Sequence, residues 1–152
     1  MNDQATAEPR ILSRSGAPLH LDKKNIEQLF LGLLVIQPSP FCNINCDYCY
    51  LPDRTNKTRM DFDVLRKVMD RIWESGMVGP PFTLLWHAGE PMAVPIKWYE
   101  EAFDIIGSYP NADKMVIHSF QTNGTLVTDK WCEFINERGI EVGLSVDGPE
   151  LI

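Results

Sequence analysis

Leu33-Leu34-Val35-Ile36-Gln37-Pro38-Ser39-Pro40-Phe41-Cys42-Asn43-Ile44-Asn45-Cys46-Asp47-Tyr48-Cys49 is the stretch from which the rest of the chain can be ordered. Leu33 to Ile36 is a short, uninterrupted apolar run, and Pro38 and Pro40 break it. That pattern reads as a buried strand. The strand leads straight into a loop that holds three cysteines within eight residues, spaced Cys-x3-Cys-x2-Cys.

Downstream the same alternation recurs. Asp61 is placed to cap a helix whose apolar positions Leu65, Val68, Met69, Ile72 and Trp73 have helical spacing, with Gly76 and Val78-Gly79-Pro80-Pro81 stopping it. Phe82-Thr83-Leu84-Leu85-Trp86 predicts a second strand. Pro95 opens a second helix through Trp98, Tyr99, Ala102, Phe103 and Ile106, ending at Gly107. Met115 to Phe120 predicts a third strand. Thr128 caps a third helix ending at Gly139, and Val142 to Val146 predicts a fourth strand. Strands alternating with helices imply parallel βαβ units, an α/β fold with helices packed outside the sheet. Residues 1–28 carry little periodicity and are expected to be an N-terminal arm or tail, with 29–152 forming the core portion. No helix is predicted after the fourth strand, so the chain is expected to be truncated, or a fragment of a longer one.

Composition narrows the class. The chain has 152 residues, 44% hydrophobic and 23% charged, as soluble globular chains do. Fourteen basic against twenty-one acidic side chains give a net charge of -7, and no basic stripe stands out. Nucleic acid is therefore not an expected partner. The longest apolar run, Leu29 to Ile36, falls short of the roughly 20 residues that span a bilayer, so no membrane segment is expected. Met1 to Arg10 lacks the order of a signal peptide, which makes a cytoplasmic, reducing setting the default.

Four polar clusters follow the four strands: the cysteine loop, His87-Ala88-Gly89-Glu90-Pro91, Gln121-Thr122-Asn123-Gly124, and Ser145 with Asp147-Gly148-Pro149. In parallel α/β folds these positions share the carboxyl edge of the sheet, where such folds place active sites. In a reducing compartment, three clustered cysteines argue for metal ligation over cross-linking. Three thiolates without a fourth suit a [4Fe-4S] cluster with one open iron. The alternative is a zinc knuckle completed by His20 or His87. Each polar cluster has a plainer alternative too. Glu90-Pro91, Asn123-Gly124 and Asp147-Gly148-Pro149 are all turn chemistry, and Ser145 could be a small core residue. His118, mid-strand, reads as structural, as do Trp98, Tyr99 and Phe103. Cys132 reads as a small buried hydrophobe on its helix.

Cys42, Cys46 and Cys49, with Tyr48 before the last cysteine, resemble the signature of the radical S-adenosylmethionine (AdoMet) superfamily. Gly89-Glu90-Pro91 matches the end of that superfamily's Gly-Gly-Glu-Pro motif. Gln121-Thr122-Asn123-Gly124 and Ser145-Val146-Asp147-Gly148-Pro149 resemble its SPASM-type subgroup, which modifies peptides and proteins. The stretch from Gln37-Pro38 to Asp53-Arg54 looks most like the cyclophane-forming, Grr-type peptide maturases, and the chain is also similar to the anaerobic sulfatase-maturating enzymes. The resemblance covers about residues 33–150.

It implies the first part of a partial (β/α)6, TIM-like barrel. It also implies a [4Fe-4S] cluster on Cys42, Cys46 and Cys49 and an AdoMet chelating the open iron. One-electron cleavage would yield a 5'-deoxyadenosyl radical that modifies a peptide or protein substrate. A flavodoxin or ferredoxin would be the low-potential electron donor. By the same resemblance Glu90 accepts from the methionyl ammonium, Gly89 lets backbone approach the ligand, and Ser145 meets the methionyl carboxylate. Tyr48 packs beside cluster and adenine, and Gln121 and Asn123 face AdoMet or substrate. The family's first motif glycine is Ala88 here, a position expected to need a small residue and not a positive φ. An arginine after the fourth strand and a cysteine-rich C-terminal region for auxiliary clusters are absent from the sequence. The competing expectations are a non-catalytic remnant that binds cluster or peptide, and a zinc-stabilised structural domain.

Overall fold

The structure is a computed structural model and describes residues 29–148. The expected arm at residues 1–28, with His20, lies outside those residues. Four strands, β1 (Leu33–Ile36), β2 (Phe82–Trp86), β3 (Val116–Thr122) and β4 (Glu141–Leu144), form one sheet in the order β1-β2-β3-β4. Every neighbouring pair is parallel, with Ile36 beside Trp86, Trp86 beside Phe120 and Phe120 beside Val142. Helices α1 (Phe62–Glu74), α2 (Ile96–Gly107), the short α3 (Ala112–Met115) and α4 (Asp129–Arg138) make the connections. This is the parallel α/β arrangement that the alternation implies, matching the first part of the partial barrel.

The helix boundaries follow from capping chemistry. Asp61 caps α1 by accepting from the backbone N–H of Asp63 at 2.8 Å. Pro95 precedes α2, and Thr128 caps α4 by accepting from Trp131 N–H at 3.3 Å. Gly139 closes α4 in the left-handed conformation, φ +61°. α3 has no signal at sequence level. It is one turn, entered through Asn111 at φ +58°, and it displaces the start of β3 from Met115 to Val116.

One sheet face is packed against the helices. Ile36, Phe82, Leu84, Trp86 and Phe120 lie on it and are buried. Trp86, Tyr99, Phe103, Phe120, Trp131 and Phe134 make a continuous aromatic cluster, with Tyr99 and Phe120 centroids 4.8 Å apart and Trp86 and Tyr99 5.3 Å apart. Such edge-to-face pairs add roughly 0.5–1.5 kcal/mol each beyond area burial. His118 stacks on Phe103 at 3.9 Å inside this cluster, as a structural side chain.

Not every strand is as buried as a parallel sheet predicts. Leu33 and Val35, on the opposite face of β1, are half exposed. Leu144 of β4 lies on the helix side of the sheet but is exposed. β4 also ends at Leu144 instead of Val146. Its last ladder contact is Ser145 N–H donating to Thr122 O at 2.8 Å. Cys132 is exposed on α4, which corrects its assignment as a buried thiol. Trp131 and Phe134 are the buried residues of α4, and Cys132 and Glu133 between them face out.

Candidate functional site

The four loops at the carboxyl ends of the strands close on one cavity of about 300 Å³. All nine residues expected at the site line it: Cys42, Cys46, Tyr48 and Cys49 from the first loop, Gly89 and Glu90 from the second, Gln121 from the end of β3, which runs on to Thr122 and not to Phe120, Asn123 from the loop after it, and Ser145 from the fourth. Ile44, Tyr50, Leu51, His87 and Ala88 complete the wall. The apolar contributors Ile44, Tyr50 and Leu51 carry no motif. Their only sequence signal is adjacency to the cysteines.

The second loop holds the first in place by backbone contacts. Glu90 N–H donates to Phe41 O at 2.7 Å, and His87 N–H to Ile36 O at 3.0 Å. Gly89 sits at φ +68°, and a Cβ there would lie 2.6 Å from the carbonyl oxygens of Ser39 and Phe41 and 3.0 Å from that of Pro40. The close approach that requires glycine is thus to the segment feeding the cysteine loop. Ala88 has φ +69°. This corrects the expectation that the position needs only smallness, because two successive residues must turn left-handed for the loop to come back over residues 39–41. Alanine bears that conformation at a cost of about 1–2 kcal/mol.

Glu90 is 1% exposed. Oε1 accepts from Met92 N–H at 2.8 Å and from the Thr122 hydroxyl at 2.7 Å, and Oε2 accepts from Asn123 N–H at 2.9 Å. A carboxylate has about four acceptor positions. One of the three caps the turn at Pro91–Ala93 and two tie the second loop to the end of β3 and the loop after it, which leaves capacity on Oε2. Thr122 is the member of this arrangement that motif reasoning did not single out. It also accepts from Gly124 N–H at 3.1 Å, shaping the Asn123-Gly124 turn.

Gln121 Nε2 donates to Ser145 Oγ at 3.0 Å, joining the end of β3 to the fourth loop. Gly143 makes room for that side chain, since a Cβ there would meet Gln121 Oε1 at 2.4 Å. Tyr48 is largely exposed, its hydroxyl donating to Asp147 Oδ2 at 2.5 Å. That hydrogen bond to the Asp147 carboxylate holds its phenol pKa well above the usual range. Arg54 Nη1 donates to Cys46 O at 2.9 Å and pins the loop from outside.

The three cysteines are free thiols, half-buried and on the same cavity wall. Among the described residues no three His, Cys, Asp or Glu side chains gather as the ligands of a single ion. His20, one of the two fourth ligands of the zinc alternative, lies outside those residues. A zinc site draws four donors to within about 2.0–2.3 Å of one point, whereas a cluster spreads one thiolate onto each of three irons. His87 also lines this wall, and its buried Nδ1 has no hydrogen-bond partner among the described residues, an unmet polar demand at the site. The donor set and this orphaned nitrogen fit a three-thiolate cluster with a small polar ligand beside it.

A parallel α/β sheet carrying three cysteines and a ligand cavity at its carboxyl edge defines an α/β domain of the partial-barrel type with a site suited to a three-cysteine cluster. The chain belongs to the Radical SAM superfamily, whose family model matches residues 36–150. The cofactors of that family, a [4Fe-4S] cluster and S-adenosylmethionine, are those the site fits. An uncharacterised protein of Synechocystis sp. is 40% identical over 125 residues, which is 80% of this chain and 31% of the relative. The serine-type anaerobic sulfatase-maturating enzyme of Bacteroides thetaiotaomicron is 36% identical over 126 residues, 79% of this chain and 30% of that enzyme. The solved structure of native anSMEcpe with bound AdoMet and Kp18Cys peptide superposes with a TM-score of 0.66 at 28% identity, covering 78% of this chain and 32% of that one. The chain therefore spans about a third of the length of the relatives it matches. Among the described residues no helix is long and apolar enough to cross a membrane.

Proposed function

We propose that this chain supplies the cluster- and AdoMet-binding portion of a radical AdoMet enzyme that matures a peptide or protein, and that cyclophane cross-linking is the reaction it serves. The observation that carries the proposal is the convergence of nine side chains or backbone positions, from four loops separated by up to about 100 residues of sequence, on one cavity. Similarity to sulfatase-maturating enzymes and to a structure bound to AdoMet and a peptide supports the substrate class. The local sequence from Gln37 to Arg54 supports the cyclophane assignment.

In this proposal Cys42, Cys46 and Cys49 hold the cluster. Glu90 offers the remaining acceptor position of Oε2 to the methionyl ammonium, a charge-assisted contact. Ser145, steadied by Gln121, faces the methionyl carboxylate, and Tyr48 closes the outer side of the cavity. When bound, the cluster and AdoMet supply one-electron reductive cleavage of the sulfonium and so begin hydrogen abstraction from the substrate. A flavodoxin- or ferredoxin-type donor in a reducing, cytoplasmic setting would provide the electron.

Anaerobic reconstitution with iron and sulfide tests the assignment. It should yield a brown protein with about four irons that binds AdoMet. Cys46→Ala should abolish the cluster. Intact cluster binding in that variant would overturn the ligand assignment, and zinc at unit stoichiometry would favour the structural alternative. Formation of 5'-deoxyadenosine under reductant separates a catalyst from a binding remnant.

A further inference from the structure

Asn43 follows the first cysteine, and Asn123 and Thr125 follow β3, some 80 residues away. Their side chains close a ring. Asn123 Nδ2 donates to Asn43 Oδ1 at 3.0 Å, Asn43 Nδ2 donates to Thr125 Oγ1 at 2.8 Å, and the Thr125 hydroxyl donates to Asn123 Oδ1 at 2.7 Å. Each donor meets an acceptor in one direction round the ring. The direction is fixed from outside, because Thr125 backbone N–H, which can only donate, reaches Asn123 Oδ1 at 2.9 Å. The amide nitrogen of Asn123 must then face the cysteine loop. It stands 4.0 Å from Cys42 Sγ. The backbone N–H of Asn123 is meanwhile held by Glu90, so the residue cannot swing away.

We infer that Asn43, Asn123 and Thr125 form a clasp that holds Cys42 in place as a cluster ligand and aims an N–H donor at its thiolate, tuning the potential of the cluster. The inference rests on the cluster assignment above and turns Asn123 from a ligand-contact residue into a positioning residue. One-electron reduction adds negative charge to the cluster, shared with its thiolates. An N–H donor at sulfur stabilises that charge, so the clasp makes the cluster easier to reduce. Neither Asn43 nor Thr125 need touch AdoMet or substrate for this.

The test uses the anaerobically reconstituted protein, with iron content and the potential of an EPR-monitored reductive titration as readouts. Asn123→Ala should keep about four irons but shift the midpoint to more negative potential and alter the reduced-cluster EPR signal. Thr125→Val should shift it the same way by less, because the ring loses one member while the amide remains. Thr125→Ser, which keeps the hydroxyl, should restore the wild-type potential. If Asn123→Ala does not fold, the Thr125 pair decides the matter. Potentials and spectra of Asn123→Ala and Thr125→Val that match the wild type overturn the clasp. A wild-type protein that takes up no cluster would overturn the cluster assignment instead.

Discussion

Exchanging glycine and alanine in the Ala88-Gly89 pair should separate two costs that the loop keeps apart. Gly89→Ala places a Cβ in the left-handed region, at about 1–2 kcal/mol, and drives it to 2.6 Å from two backbone carbonyl oxygens. Those oxygens belong to Ser39 and Phe41, and the second already holds Glu90 N–H at 2.7 Å. Backbone cannot rotate aside as a side chain can, so the segment before Cys42 must move, adding about 1–3 kcal/mol of overpacking. Less about 0.4–1 kcal/mol for the stiffer unfolded chain, the sum is about 1–5 kcal/mol, or roughly 3–15 °C of melting temperature for a chain of this size. Gly139→Ala is the control. Its φ is +61°, yet nothing lies within 4 Å of the new Cβ, so it should lose only the backbone part. Ala88→Gly runs the other way. Relief of about 1–2 kcal/mol, less about 0.4–1 kcal/mol for the freer unfolded chain, leaves a small net gain. The assays are thermal unfolding by circular dichroism and iron retained after reconstitution. Gly89→Ala should also lose iron, because the displaced segment carries the first cysteine, while Gly139→Ala should keep it. The reasoning fails if Gly89→Ala melts no lower than Gly139→Ala, or if Ala88→Gly destabilises.

Three further outcomes follow from single side chains. Burial lowers the pKa of His118 from its ordinary 6.5 to about 4. A neutral, half-buried imidazole contributes stability that is present above pH 6.5 and is lost as pH falls through 4, at most about 3 kcal/mol. His118→Gln should flatten the dependence of denaturation midpoint on pH across that window, and an unchanged slope would refute the assignment. Thr128→Ala removes the cap of α4 and should cost about 1 kcal/mol in urea unfolding, with Thr128→Ser close to wild type. Cys132→Ser, at an exposed helix position, should change stability by less than about 0.5 kcal/mol and leave iron content untouched. Lost iron would place that thiol in the cluster.

Local pattern carried much of the fold. Leu33 to Ile36 and Phe82 to Trp86 form strands with the bounds their apolar runs predict, and Asp61, Pro95, Thr128 and Gly139 sit at the helix ends. These features depend on neighbours within a turn or a strand, so the sequence displays them directly. The same holds for the three cysteines, whose spacing is a property of one loop. β4 was placed one residue late at its start and two long at its end. Its limit is set by where Thr122 stops offering a ladder partner, and that belongs to another strand.

By itself, then, the sequence determined the alternation of elements, the parallel α/β class, the cluster-type cysteine spacing and the identity of the loops that meet. The tertiary structure decided what each loop residue does there. Glu90 could be a turn residue or a ligand contact on sequence grounds; the fold makes it a buried clamp with one position left over. Ala88 could be merely small; the return of its loop over residues 39–41 makes it left-handed. Cys132 could be buried until α4 was oriented by Trp131 and Phe134. The Asn43–Asn123–Thr125 ring spans some 80 residues and has no local signature at all. Periodicity reports which face of an element is apolar. Hydrogen-bond partners, φ at a crowded turn and the space beside a glycine depend on atoms brought near only when the strands align.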